Sequence, residues 1–376
     1  MEPDKLLSDL IALPSVNPAF LPPHDATGGE YLVAEYLAHC GRRAALDVEF
    51  QSVAVKRNNV LIRLTPIGAI RHRVVFAPHM DTVGVSSATQ FNPTRKQGRL
   101  HGRGACDTKG SVAAMLSAII RISRMRDRPR STEIILAALV DEEAGQGGSR
   151  HLARSGLNAD LAIVGEPTEL RVVTAHKGDL WLELSTRGRA AHGARPELGI
   201  NAVHGMAKVV DLLETKYAAQ LRRRRHRLLG PATINVGMIY GGTQPNIVPE
   251  QCSIRIDRRT IPGEKDPQVK REIVRFIRQH GMKVDLVDTK AEEPAPALET
   301  SIGHPILRRL LKAAGQKKPA GVDFFTDAGV LSAAGIPSVV FGPGNIAQAH
   351  TADEWVEIKQ LETGAGLLQR FLMSLP

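Results

Sequence analysis

Apolar residues in this chain fall into two textures. In the first, short unbroken apolar runs alternate with stretches of helical period. Residues 74–77 (Val-Val-Phe-Ala), 134–140, 161–164 and 336–341 are too short for buried helices and show no alternation, which predicts strands covered on both faces. A further strand is predicted over 59–64. Between and around these runs lie helical patterns. One over 6–13 is stopped by Pro14, and others cover 30–38, 306–314 and 360–373. Residues 111–122 form an amphipathic helix with Val112, Met115, Leu116, Ile119 and Ile120 on its apolar side. Strands alternating with helices predict an α/β fold, a mainly parallel mixed sheet flanked by helices.

After Glu166 the second texture begins. Residues 180–185, 234–239 and 253–260 alternate apolar and polar, as antiparallel strands with one wet face do. Helices are predicted over about 201–220 and 266–280, and a short strand over 284–287. The order β-α-β-β-α-β is the ferredoxin-like pattern. The α/β texture resumes after Glu293-Pro294-Ala295-Pro296. The chain is therefore expected to hold a discontinuous catalytic, metal-binding domain, residues 1–176 and 293–376, interrupted by a smaller α+β domain over 177–292.

Composition narrows the picture. The 376 residues suit two domains, and with only 4% aromatics the core must rest on aliphatic side chains. No apolar stretch is long enough to span a membrane, and residues 1–5 show no secretory pattern. Three scattered cysteines, Cys40, Cys106 and Cys252, argue against a disulfide framework and for a reducing, cytoplasmic setting. The net charge of +10 raises the question of nucleic acid. The most basic stretch, 222–227, lacks interleaved aromatics and reads as a solvated helix terminus, so no nucleic-acid partner is expected.

The chemistry gathers at the ends of the apolar strands. His79 and Asp81 follow the 74–77 strand, where an α/β sheet delivers ligands and catalysts. Asp81 is spaced to accept the second ring N–H of His79. Asp107 sits in the glycine-rich 102–110 loop; it reads either as a helix cap or as a site residue. Asp141-Glu142-Glu143 ends the 134–140 strand, Glu166 ends the 161–164 strand, and His350 closes the loop after the last strand. Taken singly, each has an ordinary loop explanation. Together, His79, Asp107, Glu143, Glu166 and His350 converge on one sheet edge. Two imidazoles and three carboxylates suit zinc or a similar cation, not calcium. Five ligands exceed one tetrahedral zinc and fit two cations bridged by a carboxylate, for which Asp107 is the sensible candidate. Glu142 is left over, and a free carboxylate beside such a centre is placed to act as general base.

These motifs, His79-x-Asp81, Gly104-x-x-Asp107, Asp141-Glu142-Glu143, Gly165-Glu166-Pro167-Thr168 and Ala349-His350-x-x-Asp353-Glu354, resemble the M20 metallopeptidase family over essentially the whole chain. That family includes acetylornithine deacetylase, succinyl-diaminopimelate desuccinylase, carboxypeptidase G2 and the aminoacylases. The resemblance implies two divalent cations per subunit, zinc foremost, with cobalt and manganese as alternatives. His79 and Glu166 would hold one, Glu143 and His350 the other, with Asp107 bridging. Asp81 would orient His79, Glu142 would serve as base, and the Asp107–Thr108 peptide would be cis. The inserted domain would act as lid and homodimer interface. Its His192 would reach a partner's site to stabilise an oxyanion, and Asn246 would belong to a second lid motif. Arg259 of Asp257-Arg258-Arg259 would clasp a substrate carboxylate, while Arg258 is equally readable as a solvent-facing strand residue. The loop through Gly344 to His350, and the run 326–329, resemble the acetylornithine deacetylase side of the family. The expected substrate is an N-acyl amino acid, acetylornithine first. A succinylated amino acid or a short peptide remains as the alternative.

Overall fold

The computed structural model describes residues 2–22, 28–287 and 293–376. They pack as two compact units. The first comprises residues 1–174, 300–321 and 326–376, and the second comprises 175–299 and 322–325. The expected end of the insertion, residue 292, lies outside the described residues. The return segment belongs to the second unit, where Ala295 O accepts the Asp179 N–H at 2.8 Å.

The sheet of the first unit runs in the order Asp47–Ala54, Arg57–Leu64, Thr132–Ala138, His72–Pro78, Leu161–Gly165, Ser338–Val340, Val173–His176. The four strands from Thr132–Ala138 to Ser338–Val340 are parallel, and those outside them pair antiparallel. Thr132–Ala138 and Leu161–Gly165 are buried at every position, which explains why they read as unbroken apolar runs. The helix Lys109–Ser123 departs from the amphipathic expectation. It is buried almost all round, because Pro3–Ile11 and Ile358–Met373 cover the side turned away from the sheet.

Asp47–Ala54, Gly147–Arg154 and Asp327–Ala333 are among the elements not predicted from the sequence. Asp47–Ala54 has no fully buried residue, since it is an edge strand paired only with Arg57–Leu64. Gly147–Arg154 buries only Gly148, Ser149 and Leu152, and Asp327–Ala333 is a seven-residue helix.

The second unit is a four-stranded antiparallel sheet ordered Thr233–Gly241, Gln251–Thr260, Gly178–Arg187, Asp285–Val287. This is the ferredoxin-like order expected from the sequence. One face packs on Ala202–Leu212, its continuation to Leu221, and Asp266–Gln279, forming a core of its own. The basic stretch is only partly a solvated terminus: Arg222 and Arg223 are exposed, but Arg224 Nη1 pairs with Glu272 at 2.8 Å. No helix among the described residues is long and apolar enough to cross a membrane, and all three cysteines are free and buried.

Candidate metal centre

The carboxyl ends of the four parallel strands build the site. His79 follows His72–Pro78, the turn Asp141 to Glu143 follows Thr132–Ala138, Glu166 follows Leu161–Gly165, and the loop to His350 follows Ser338–Val340. Asp107 comes from the turn just before Lys109–Ser123, and its peptide bond to Thr108 is cis.

Asp107 lies between the two imidazoles. Its Oδ1 is 3.2 Å from His79 Nε2 and its Oδ2 is 3.4 Å from His350 Nε2. Glu166 Oε1 stands 3.7 Å from His79 Nε2, and Glu143 Oε2 stands 3.0 Å from His350 Nε2. Two histidine–glutamate pairs thus flank one carboxylate. Glu142 Oε2 is 4.0 Å from His79 Nε2 and makes no side-chain hydrogen bond among the described residues. His79, Glu142 and Glu166 bring donor atoms within 4.8 Å of one another, as do His79, Asp107 and Glu143.

Asp81 does more than the expected second contact to His79. The ring Nδ1 is 3.0 Å from the Asp81 carbonyl and 3.4 Å from its carboxylate Oδ1. The carboxylate is engaged mainly by others: Oδ1 accepts the Glu142 N–H at 3.1 Å, and Oδ2 accepts the Glu143 N–H at 3.0 Å. Asp81 therefore fixes the backbone of the acidic turn as well as one face of the imidazole.

Electrostatically the site is short of positive charge. Burial, then repulsion from Glu166, pushes the Glu142 carboxyl well above the usual range. Burial also raises Glu166 well above the usual range, against the pull of His79 and with repulsion from Asp107, Asp327 and Glu143 behind it. Burial also raises Glu143, against its bond to His350. Burial opposes charge on His79, yet its bonds to Asp107 and Asp81 hold its pKa well above the ordinary histidine value. The bonds of Asp107 and Glu143 push His350 up to about 10. Each of these shifts favours a proton on a group that a bound cation would otherwise partner. The donor set fits such cations on a second count: Glu143 Oε1 and Glu166 Oε1 are buried without a hydrogen-bond partner.

Two residues without an assigned role in the sequence reading belong here. Glu354 is buried and accepts four donors: Cys106 N and Asp107 N on Oε1, Gly104 N and Arg103 Nη1 on Oε2. Its place at the end of the His350 motif was the available signal. Asp327 is 1% exposed; its Oδ1 accepts Ser149 Oγ at 2.5 Å, and its negative charge helps raise Glu142 and Glu166. The run 326–329 was its only signal in the sequence.

The remaining expected residues are placed as follows. Gly344 is buried, with φ +95; its N–H donates to Gln360 Oε1 at 2.9 Å and its carbonyl accepts Glu169 N–H at 2.8 Å. Both backbone groups are thus committed to the turn. His192 and Asn246 are exposed on adjoining segments of the second unit, where His192 bridges to Ile247 and Gly193 N–H donates to Asn246 O at 2.7 Å. Arg259 pairs with Asp257 at 2.9 Å and with Asp179 at 3.2 Å. Arg258 is not solvent-facing. It shares the buried parity of Ile254 and Ile256 on its strand, is fully buried, and pairs with Glu264 at 2.7 Å.

Acetylornithine deacetylase of Myxococcus xanthus is 32% identical over 311 residues, covering 81% of this chain and 80% of that protein. The fold matches aminopeptidase PepT of Bacillus cereus with a TM-score of 0.79 at 21% identity, covering 99% of this chain and 97% of that one. It also matches the Bacillus subtilis YXEP protein, described as a dinuclear metal binding peptidase of the M20 family, with a TM-score of 0.68 at 12% identity over 99% and 96% of the two chains. Residues 75–374 match the model of Peptidase family M20/M25/M40. This chain belongs to that family and is a hydrolase.

Proposed function

We propose that the protein removes an N-acyl group from an amino acid by hydrolysis, with N-acetylornithine as the leading substrate. The observation that carries this reading is Asp107, whose two oxygens face two separate histidine–glutamate pairs with Glu142 alongside. The substrate choice leans on likeness to acetylornithine deacetylases. In this reading His79 and Glu166 would hold one divalent cation and Glu143 and His350 a second, with Asp107 shared between the two. Zinc suits the mixed imidazole and carboxylate donors, with cobalt and manganese as alternatives. Such a pair supplies Lewis acidity toward the scissile carbonyl and lowers the pKa of water.

The chain's own residues do the rest. Glu142 takes the proton of the attacking water as its oxygen bonds to the carbonyl carbon. It then delivers that proton to the amine nitrogen as the C–N bond breaks, leaving an acyl carboxylate and a free amino acid. Asp81 holds His79 and the Glu142 backbone in place. Arg259 clasps the substrate carboxylate by exchanging it for Asp257 and Asp179, and His192 donates to the developing oxyanion. Asn246 lines the same lid segment, and Gly344 acts through the shape of its turn. The second unit serves as lid and homodimer interface. The three free, buried cysteines fit a cytoplasmic enzyme.

A substrate panel on cation-reconstituted protein tests the substrate. N-acetylornithine should show the highest kcat/KM, ahead of succinyl-diaminopimelate and of dipeptides. A preference for either of the others by tenfold or more would replace acetylornithine with that class.

A further inference from the structure

Asn17 lies in the loop after the first helix, far in sequence from the candidate metal centre, yet it is fully buried. Its loop is stitched to the chain beyond His79. Asn17 N–H donates to Thr82 O at 2.9 Å, Thr82 N–H to Ser15 O at 3.0 Å, and Ser15 Oγ to Met80 O at 2.8 Å. The side-chain amide is oriented without ambiguity. Its Oδ1 accepts the Ala19 N–H at 3.0 Å, so its Nδ2 must be the end that faces two carboxylates. That nitrogen donates to Asp81 Oδ2 at 2.8 Å and to Asp141 Oδ1 at 3.0 Å.

Each of those carboxylates grips one part of the acidic turn. Asp81 accepts the backbone N–H groups of Glu142 and Glu143. Asp141, at φ +70, is held from the far side: Arg57 Nη1 reaches its Oδ1 at 2.9 Å, Gly147 N–H its Oδ2 at 3.2 Å, and its own N–H donates to Glu30 Oε1 at 3.1 Å. The Arg57–Glu30 ion pair closes this outer side. Among the described residues, Asn17 is the one side chain hydrogen-bonded to both carboxylates. An amide suits the position chemically, because it gives two donors to two anions without adding charge to an already crowded site.

We propose that Asn17 is a positioning residue for hydrolysis. By bridging Asp81 and Asp141 it locks the turn that carries Glu142 and Glu143, and with it the aim of the base and of one cation ligand. This rests on the reading of Glu142 as base and of Glu143 as ligand.

The test compares Asn17→Asp, Glu142→Gln and the parent protein, each reconstituted with Co2+ and assayed on N-acetylornithine. Asn17→Asp keeps the shape but leaves at most one donor when protonated and adds a repelling charge when ionised, whereas Asn17→Ala removes both donors without adding charge. The kcat of Asn17→Asp should fall by roughly 10–100-fold with KM within about threefold, the scale seen when an outer partner of a metal ligand is lost. One of two Co2+ equivalents, titrated by visible absorption, should bind about tenfold more weakly. A merely structural role would lower the melting temperature without moving the fully loaded kcat or the cobalt titration. Asn17→Ala carries the same expectations should the aspartate variant fail to fold. Parent-like kcat and cobalt binding in a folded Asn17 variant overturn the inference. If Glu142→Gln loses turnover while the Asn17 variants keep it, only this inference fails. If Glu142→Gln retains turnover, the base reading fails, and the role given to Asn17 in aiming the base falls with it.

Discussion

Glu354 Oε1 accepts the backbone N–H of Asp107 at 3.0 Å. The same carboxylate holds Cys106, Gly104 and Arg103, so one buried acid shapes the turn that presents Asp107 to both imidazoles. Glu354→Ala should cost about 3–5 kcal/mol of stability, because it leaves the Arg103 guanidinium buried without its partner. Urea denaturation checks this. The double variant Arg103→Met, Glu354→Ala should recover part of the loss. Equal stability of single and double variants would show that the pair does not act as a unit.

Removing divalent cations should lower stability as well as activity. Glu143 Oε1 and Glu166 Oε1 are buried without a hydrogen-bond partner, and Glu142 and Glu166 are raised by burial and by repulsion from neighbouring acids. A cation at 100 times its Kd adds about 2.7 kcal/mol per site. Calorimetry before and after chelation should show a fall in Tm that rises again with added Zn2+. A Tm indifferent to both would contradict the fit of these donors to a metal.

Asp179, in the second unit, gives a pH dependence of its own. Burial, and behind it Asp257, raises this carboxyl to about 6, against the pull of Arg259. A folded-state pKa above the unfolded value means a contribution present below about 4 and lost as pH rises through about 6. Metal-free protein should therefore lose some stability between pH 4 and 6, and Asp179→Asn should flatten that part of the profile. An unchanged profile in the variant would remove Asp179 as its source.

Arg259 enters the proposed clasp already paired with Asp257 and Asp179. Arg259→Lys keeps the charge and loses the planar fork. KM should rise about tenfold, ~1.4 kcal/mol, with a smaller change in kcat. An unchanged KM would place the substrate carboxylate elsewhere.

The sequence made the strand-end chemistry legible because buried parallel strands are unbroken apolar runs, so His79, Glu142, Glu143 and Glu166 stand out where those runs stop. The ferredoxin-like order was readable for a related reason: its strands alternate with one wet face. What stayed hidden depends on long-range contact. The strand Asp47–Ala54 carries only a short, half-buried stripe, Val48 and Phe50, which is easily passed over. Asn17 is an ordinary polar residue until the fold places it beside Asp81, and Glu354 is marked only by its place in the His350 motif. Arg258 misled because an arginine on an alternating strand looks solvated, whereas its parity follows Ile256 and its partner Glu264 lies beyond the strand's end.

The central claim is that Glu142 is the base beside a cation pair held by His79, Asp107, Glu143, Glu166 and His350. Glu142→Gln tests it most directly, with bound metal and turnover of N-acetylornithine measured on the same reconstituted sample. The account predicts two equivalents of cation retained and turnover lowered by about 10²–10⁴-fold. Turnover close to that of the parent protein, or a parent protein that binds no cation, would contradict it.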